Sequence, residues 1–283
     1  MPQHPALQPG RVAVVTGAAS GIGLAAARRF TKLGMTVMLA DRAGETLNTA
    51  AAQLGDTAHA IATDVQKAED LQRLKEAAYK HGNVTVLMNN AGTGGGGKCW
   101  ENPEGWRRVL ETNLWGAING VQAFVPEMLA RGLPGAVVNT GSKQGITTPP
   151  GDAAYNASKA AIKVVTEQLA HELRNTPSAK ISAHLLVPGY TFTGMTARGS
   201  TEKPAAAWSA DQVVDRLRQL STPASFMPGA RTTKHRAPWT SGASNGLRRT
   251  SSRTARRCHD GTPITQTPPR PSLSDSHDAH TQS

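Results

Sequence analysis

Residues 11–23 read RVAVVTGAASGIG. The first six form a short, β-branched apolar run that suits a buried strand. Residues 21–33 then carry Ile22, Ala25, Ala26, Ala27, Phe30 and Leu33 at helical spacing. Between them lies a glycine-rich turn. Glycine permits a tight turn and a close backbone approach, and the helix that follows offers free N–H groups and a partial positive charge. A strand running through such a turn into a helix is the opening of a phosphate-binding unit.

The same alternation continues along the chain. Strands are expected at 36–40, 58–62, 84–88, 136–140 and 181–186. Helices are expected at 44–54, 67–81, around 105–131, around 152–174 and at 210–220. Apolar strands alternating with helices imply a parallel sheet buried on both faces. Right-handed crossovers make it a doubly wound α/β sheet of the Rossmann type, in a single domain over residues 1–220.

At about residue 221 the composition changes. Residues 221–283 hold no Val, Tyr or Glu, but twenty Ser or Thr and seven Pro. Phe226, Leu247, Ile264 and Leu273 are their only Leu, Ile, Val or Phe residues. So little apolar surface does not offset the entropy of ordering, and a disordered, low-complexity basic tail is expected. That tail also explains the charge. The chain of 283 residues has a net charge of +11, yet residues 1–220 contribute only +5. The folded part therefore gives no argument for nucleic acid. Two distant cysteines, Cys99 and Cys258, suggest neither a metal site nor a disulfide framework, and a reducing cytoplasm is the plain reading. No apolar run is long enough for a transmembrane helix, and residues 1–10 lack a signal pattern.

Candidate nucleotide contacts cluster at strand ends. Gly17, Ser20, Gly21, Ile22 and Gly23 form the first turn. Asp41 ends the second strand, where a carboxylate can accept hydrogen bonds from both hydroxyls of an adenosine ribose and would repel a 2′-phosphate. That argues for NAD over NADP, with Arg42 as a partial offset. Asp64 and Val65 follow the third strand; Asp64 is placed to reach an adenine amino group, to cap the next helix, or both. Asn90, Ala91 and Gly92 follow the fourth.

A second constellation carries acid–base chemistry. Tyr155 and Lys159 are four apart in an expected helix and share one face. A phenol with a reference pKa near ~10 needs nearby positive charge to act as a base at neutrality, and an ammonium provides it. Ser142 follows the fifth strand, with a hydroxyl suited to holding a substrate oxygen beside the phenol.

Taken together, TGAASGIG at residues 16–23, NNAG at 89–92, Asn113, Ser142, YNASK at 155–159 and Pro188-Gly189 resemble the short-chain dehydrogenase/reductase family in order and spacing. The resemblance covers about residues 10–220. It implies an NAD(P)-dependent oxidoreductase that moves hydride between nicotinamide and a carbonyl or secondary alcohol. Tyr155 would be the general acid/base. Lys159 would lower its pKa and hold the nicotinamide ribose. Ser142 would orient the substrate oxygen, and Asn113 would anchor a water leading to Lys159. Asn90, Pro188, Gly189 and Thr193 would contact the cofactor. The resemblance also implies a small-molecule alcohol or ketone substrate, and a homodimer or homotetramer built on the two long helices. The glycine run Gly94–Gly97 reads as a floppy loop rather than a lid.

The family's seventh strand has no counterpart visible after Ser221, which would leave an apolar sheet edge exposed. Two explanations stand: a true basic tail, or a reading-frame shift. Re-read one base earlier, residues 230–267 can yield a segment with acidic and aromatic residues and a helix-like stretch. Alternative functions are a catalytically impaired dinucleotide-binding homologue and a nucleic-acid binder using the basic tail.

Overall fold

In the computed structural model, residues 4–197, 200–219 and 226–228 are described, and all lie within one compact unit spanning Met1–His235. Strands β1 (Val12–Thr16), β2 (Thr36–Asp41), β3 (Ala58–Ala62), β4 (Val84–Asn89), β5 (Gly135–Thr140) and β6 (Ile181–Val187) alternate with helices. The helices between them are α1 (Gly21–Lys32), α2 (Glu45–Leu54), α3 (Ala68–Lys80), α4 (Pro103–Leu110), α5 (Gly116–Arg131), α6 (Gln144–Thr147) and α7 (Ala153–Asn175). Short helices α8 (Gly194–Ala197) and α9 (Ala210–Val214) follow β6.

With β7 (Phe226–Pro228), all strands pair in parallel, in the order β3-β2-β1-β4-β5-β6-β7. The chain reverses its direction of winding between β1 and β4, the position at which such sheets open a ligand crevice. The expected doubly wound sheet is thus present. Its core follows from strand alternation: Ala13, Val15, Val37 and Leu39 pack with Phe30 of α1 and with Val213 and Val214 of α9. Their neighbours Val12, Val14, Met38 and Ala40 pack with Leu71 and Leu74 of α3 and with Phe124 and Met128 of α5. β1, β4, β5 and β6 are buried along their whole lengths, as runs covered on two faces must be.

Three expectations need correction. The long helix around 105–131 starts at Pro103, where Asn102 accepts a hydrogen bond from Gly105 N at 3.0 Å, and a π-helical turn, Glu111–Trp115, interrupts it. One extra residue in a turn leaves the apolar period almost intact, so the sequence hides it. The helix at 210–220 is α-helical only over Ala210–Val214 and continues as a 3₁₀ turn, Asp215–Gln219. Its start is fixed by a capping box between Ser209 and Gln212.

No strand is expected after Ser221, yet Phe226–Pro228 form β7, in register with Leu185, Leu186 and Val187 of β6. The edge expected to stay open is therefore paired along those residues. Three residues are too short to show alternation. A proline is tolerated because an edge strand has no outer neighbour that needs its N–H. The remainder of the expected tail lies outside the described residues.

Candidate active site

A cavity of about 390 Å³ opens at the carboxyl ends of the strands, over the β1/β4 switch point. The glycine turn forms one wall. Gly17 has φ +64°, and a Cβ there would lie 2.8 Å from Ala91 Cα; a Cβ on Gly23 would lie 2.2 Å from Gly17 O. Only glycine lets the turn, α1 and the segment after β4 approach this closely. Thr16 ties the same elements together: its Oγ1 accepts from Asn90 N at 3.0 Å and from Ala91 N at 3.1 Å. The Asn90 amide donates to Thr16 O at 3.1 Å and to Gly17 O at 3.3 Å, and its Oδ1 accepts from Thr140 Oγ1 at 3.2 Å.

Ser20 begins α1 without a side-chain cap, and no acidic residue stands in the first turn. The helix's positive end is thus left for a ligand, with Ser20, Gly21 and Ile22 lining the cavity. Asp41 and Arg42 line it further along. The Asp41 carboxylate accepts from Ala19 N at 3.0 Å and from Arg42 N at 2.8 Å, which fixes it beside the turn. A carboxylate has about four acceptor directions, so it retains capacity for hydroxyl donors. Asp64 and Val65 also line the cavity. Asp64 does not cap α3: its Oδ1 accepts from Gln66 N at 3.1 Å, while Lys67 occupies the cap position without a side-chain bond.

On the other wall, α7 places Tyr155 and Lys159 one turn apart, both facing the cavity. Lys159 is 5% exposed, and its Nζ donates to Thr140 O at 2.8 Å and lies 5.7 Å from the centre of the Tyr155 ring. Burial pulls its pKa down to about 8, so the ammonium persists at neutral pH. Burial is also the largest influence on the Tyr155 phenol and pushes its pKa up. A hydrogen bond with Ser142 acts in the opposite sense, and the Asp152 carboxylate adds a further upward push. Ser142 stands beside the cavity rather than among its lining, and its Oγ accepts from Gln144 N at 3.1 Å.

Asn113 lies behind this wall, at 2% exposure in the π turn. Its Oδ1 accepts from Thr93 N at 2.7 Å, and its Nδ2 donates to Thr93 O at 2.9 Å and to Ser158 Oγ at 3.0 Å. A Cβ on Gly92 would lie 3.3 Å from Asn113 Oδ1 and 3.5 Å from Lys159 Nζ, so both side chains converge on that glycine. Pro188, Gly189 and Thr193 close the cavity from the β6 side, where Thr193 approaches Gly21.

The structure therefore brings together Gly17, Ser20, Gly21, Ile22, Asp41, Arg42, Asp64, Val65, Asn90, Ala91, Gly92, Tyr155, Lys159, Pro188, Gly189 and Thr193 around one cavity. Gly23, Asn113 and Ser142 support it from outside the lining. Sequence reading missed Arg108, Thr112 and Thr140, which also line it. Of these, Thr140 had a visible signal, as the last residue of a strand just before Ser142.

The sequence pattern of the family described as short chain dehydrogenase matches residues 11–204. The chain belongs to that family. As a short-chain dehydrogenase it is an oxidoreductase acting on CH–OH or C=O groups. It is 40% identical over 192 residues to a 1-deoxy-11-beta-hydroxypentalenate dehydrogenase of Streptomyces exfoliatus, covering 65% of this chain and 69% of that protein. Its fold superposes with a TM-score of 0.70 on a short-chain dehydrogenase/reductase from Burkholderia phymatum in complex with NAD. That structure is 32% identical, and the match covers 77% of this chain and 86% of that one. An actinorhodin polyketide ketoreductase variant with NADPH gives a TM-score of 0.68 at 30% identity, covering 77% and 96%. No helix of this short-chain dehydrogenase is long and apolar enough to cross a membrane among the described residues.

Proposed function

We propose that this chain catalyses hydride transfer between NAD and a small secondary alcohol or ketone, with Tyr155 as the general acid/base. What carries the reading is the convergence of the Tyr155 side chain and the buried Lys159 ammonium, one helical turn apart, on the cavity that the uncapped glycine turn opens. The glycine turn, Asp41 and Asn90 would hold a dinucleotide, and the fit rests on the free α1 terminus and the oriented Asp41 carboxylate. When bound, a nicotinamide supplies the hydride acceptor or donor.

The chain's own groups do the rest. Ser142 holds the substrate oxygen beside the phenol. Tyr155 takes the hydroxyl proton in oxidation and returns it in reduction. Lys159, charged below about pH 8, stabilises the phenolate as it forms. Asn113 fixes Thr93 and Ser158 around Lys159 and would anchor the water through which the proton reaches solvent. Asp41 favours NAD, because its charge opposes a 2′-phosphate. A homodimer or homotetramer formed through the long helices α5 and α7 belongs to the same reading.

The test is a nicotinamide fluorescence titration with NADH and NADPH, followed by turnover on a panel of secondary alcohols and ketones. Tighter binding of NADH together with turnover is expected. Binding without turnover on any substrate would favour the impaired homologue instead, and binding of neither cofactor would overturn the reading.

A further inference from the structure

Four glycines, Gly94–Gly97, follow directly on Thr93 at the cavity wall, and they are not slack. Each of their polar contacts leads to a fixed partner. Asp152, the residue that caps α7, accepts from Gly95 N at 2.6 Å through Oδ2 and from Gly96 N at 3.2 Å through Oδ1. The same Oδ1 accepts from Tyr155 N at 3.1 Å. Ala153 N donates to Gly97 O at 2.9 Å. From the opposite side, Arg108 Nη2 donates to Gly94 O at 3.4 Å and to Gly95 O at 3.3 Å, and Asn102 Nδ2 donates to Gly95 O at 3.1 Å.

Packing explains the residue type. Gly95 and Gly97 have φ of +87° and +79°, which disfavour a side chain. A Cβ on Gly96 would lie 2.2 Å from Ala154 Cβ, and one on Gly94 would lie 3.1 Å from Asp152 Oδ2 and 4.0 Å from the Tyr155 ring. The loop is thus pressed against the first turn of α7 and backs the Tyr155 side chain. Bonds from N–H groups to a carboxylate are roughly twice as strong as those between neutral partners.

We propose that Asp152 is a positioning residue: its carboxylate ties the glycine loop to the first turn of α7 and so fixes the Tyr155 phenol for proton transfer. The proposal rests on Tyr155 being the acid/base of the reaction. It gives the glycine run a purpose, because three backbone N–H groups from two distant segments meet on one side chain. The same carboxylate also raises the phenol pKa, opposing Ser142, so its removal has a spectroscopic signature. The groups around the phenol that affect such a titration are Ser142 after β5, Lys159 on α7 and Asp152 itself.

Asp152→Ser separates the two tasks, since serine still caps a helix but cannot span two loop amides. Hydrogen exchange of the Gly95 and Gly96 amides in the full chain is expected to quicken at least tenfold, with the Tyr155 amide still protected. The Tyr155 phenol, titrated by absorbance as the difference from Tyr155→Phe, is expected to ionise at lower pH. Turnover is expected to fall at least tenfold, with NADH affinity within twofold of the parent. Unchanged loop exchange would overturn the clamp, and unchanged turnover with loosened loop amides would overturn the positioning role. Tyr155→Phe is the control for the underlying reading: if it still turns over, that reading fails. If it is inactive while Asp152→Ser matches the parent, only the role of Asp152 fails.

Discussion

Two buried polar clusters sit towards opposite ends of the same sheet. At the carboxyl ends, Lys159 is surrounded by Tyr155, Asn113 and Thr140 and lines an open cavity. Towards the amino ends, His4, Ser182 and His184 form a sealed chain. Ser182 Oγ lies 3.1 Å from His4 Nε2 and 2.7 Å from His184 Nε2, and His4 Nδ1 accepts from Ala6 N at 3.1 Å. Because His4 Nδ1 is an acceptor, its Nε2 carries the proton towards Ser182. In both clusters burial depresses a base: Lys159 to about 8 and His184 to about 4. A perturbed pKa therefore does not mark the site in this protein; access does. Lys159 keeps its charge at neutral pH beside a cavity, whereas His184 is neutral there and fully buried.

Lys159→Met would sharpen this contrast most. It removes the charge beside the phenol, and turnover on the best substrate should fall by at least ~100-fold. Stability should not fall with it. A lysine whose folded pKa lies below its unfolded value destabilises the fold while charged, by roughly 3 kcal/mol on a shift from 10.5 to about 8. The parent should accordingly gain stability as pH rises from about 8 to 10.5, while the variant should not; denaturant melts at several pH values would show it.

Asp41→Ala should have a smaller effect. It removes the negative charge beside Ala19 and Arg42, and the ratio of NADH to NADPH affinity should drop about tenfold, read by fluorescence titration.

His184→Gln should affect activity least and acid stability most. The folded pKa of His184 is below its unfolded value of 6.5, so its contribution is whole above pH 6.5. That contribution declines as pH falls towards about 4, by up to roughly 3 kcal/mol. His4, also depressed by burial, acts in the same direction. Glutamine cannot be protonated there, so the variant should lose less stability between pH 6.5 and 4, with unchanged turnover at neutral pH.

The contrast also shows what a sequence makes legible. The glycine turn, Asp41, Ser142, Tyr155 and Lys159 were readable because each depends on a local pattern: a strand end, a turn, or a spacing of four on a helix. Their meeting at one cavity follows from strand order alone. The clusters that escaped are non-local. His4 and Ser182 are 178 positions apart, and Asp152 meets Gly95 across 57. Nothing in either segment announces the other. Asn139 and Thr166 read as ordinary strand or helix residues, and Asn89 only as the start of the NNAG turn. Yet they form a buried ladder, Asn89 to Asn139 at 2.9 Å and Asn139 to Thr166 at 2.9 Å, which seats α7 on β4 and β5. The π turn escaped because a single extra residue barely disturbs the helical period, although it is what turns Asn113 towards Thr93.

The most direct test sets Tyr155→Phe beside His184→Gln, with nicotinamide turnover and cofactor affinity measured on the same samples. Tyr155→Phe is expected to bind NADH like the parent but to lose at least ~1000-fold in turnover, while His184→Gln matches the parent in both. Retained turnover in Tyr155→Phe would contradict Tyr155 as the general acid/base.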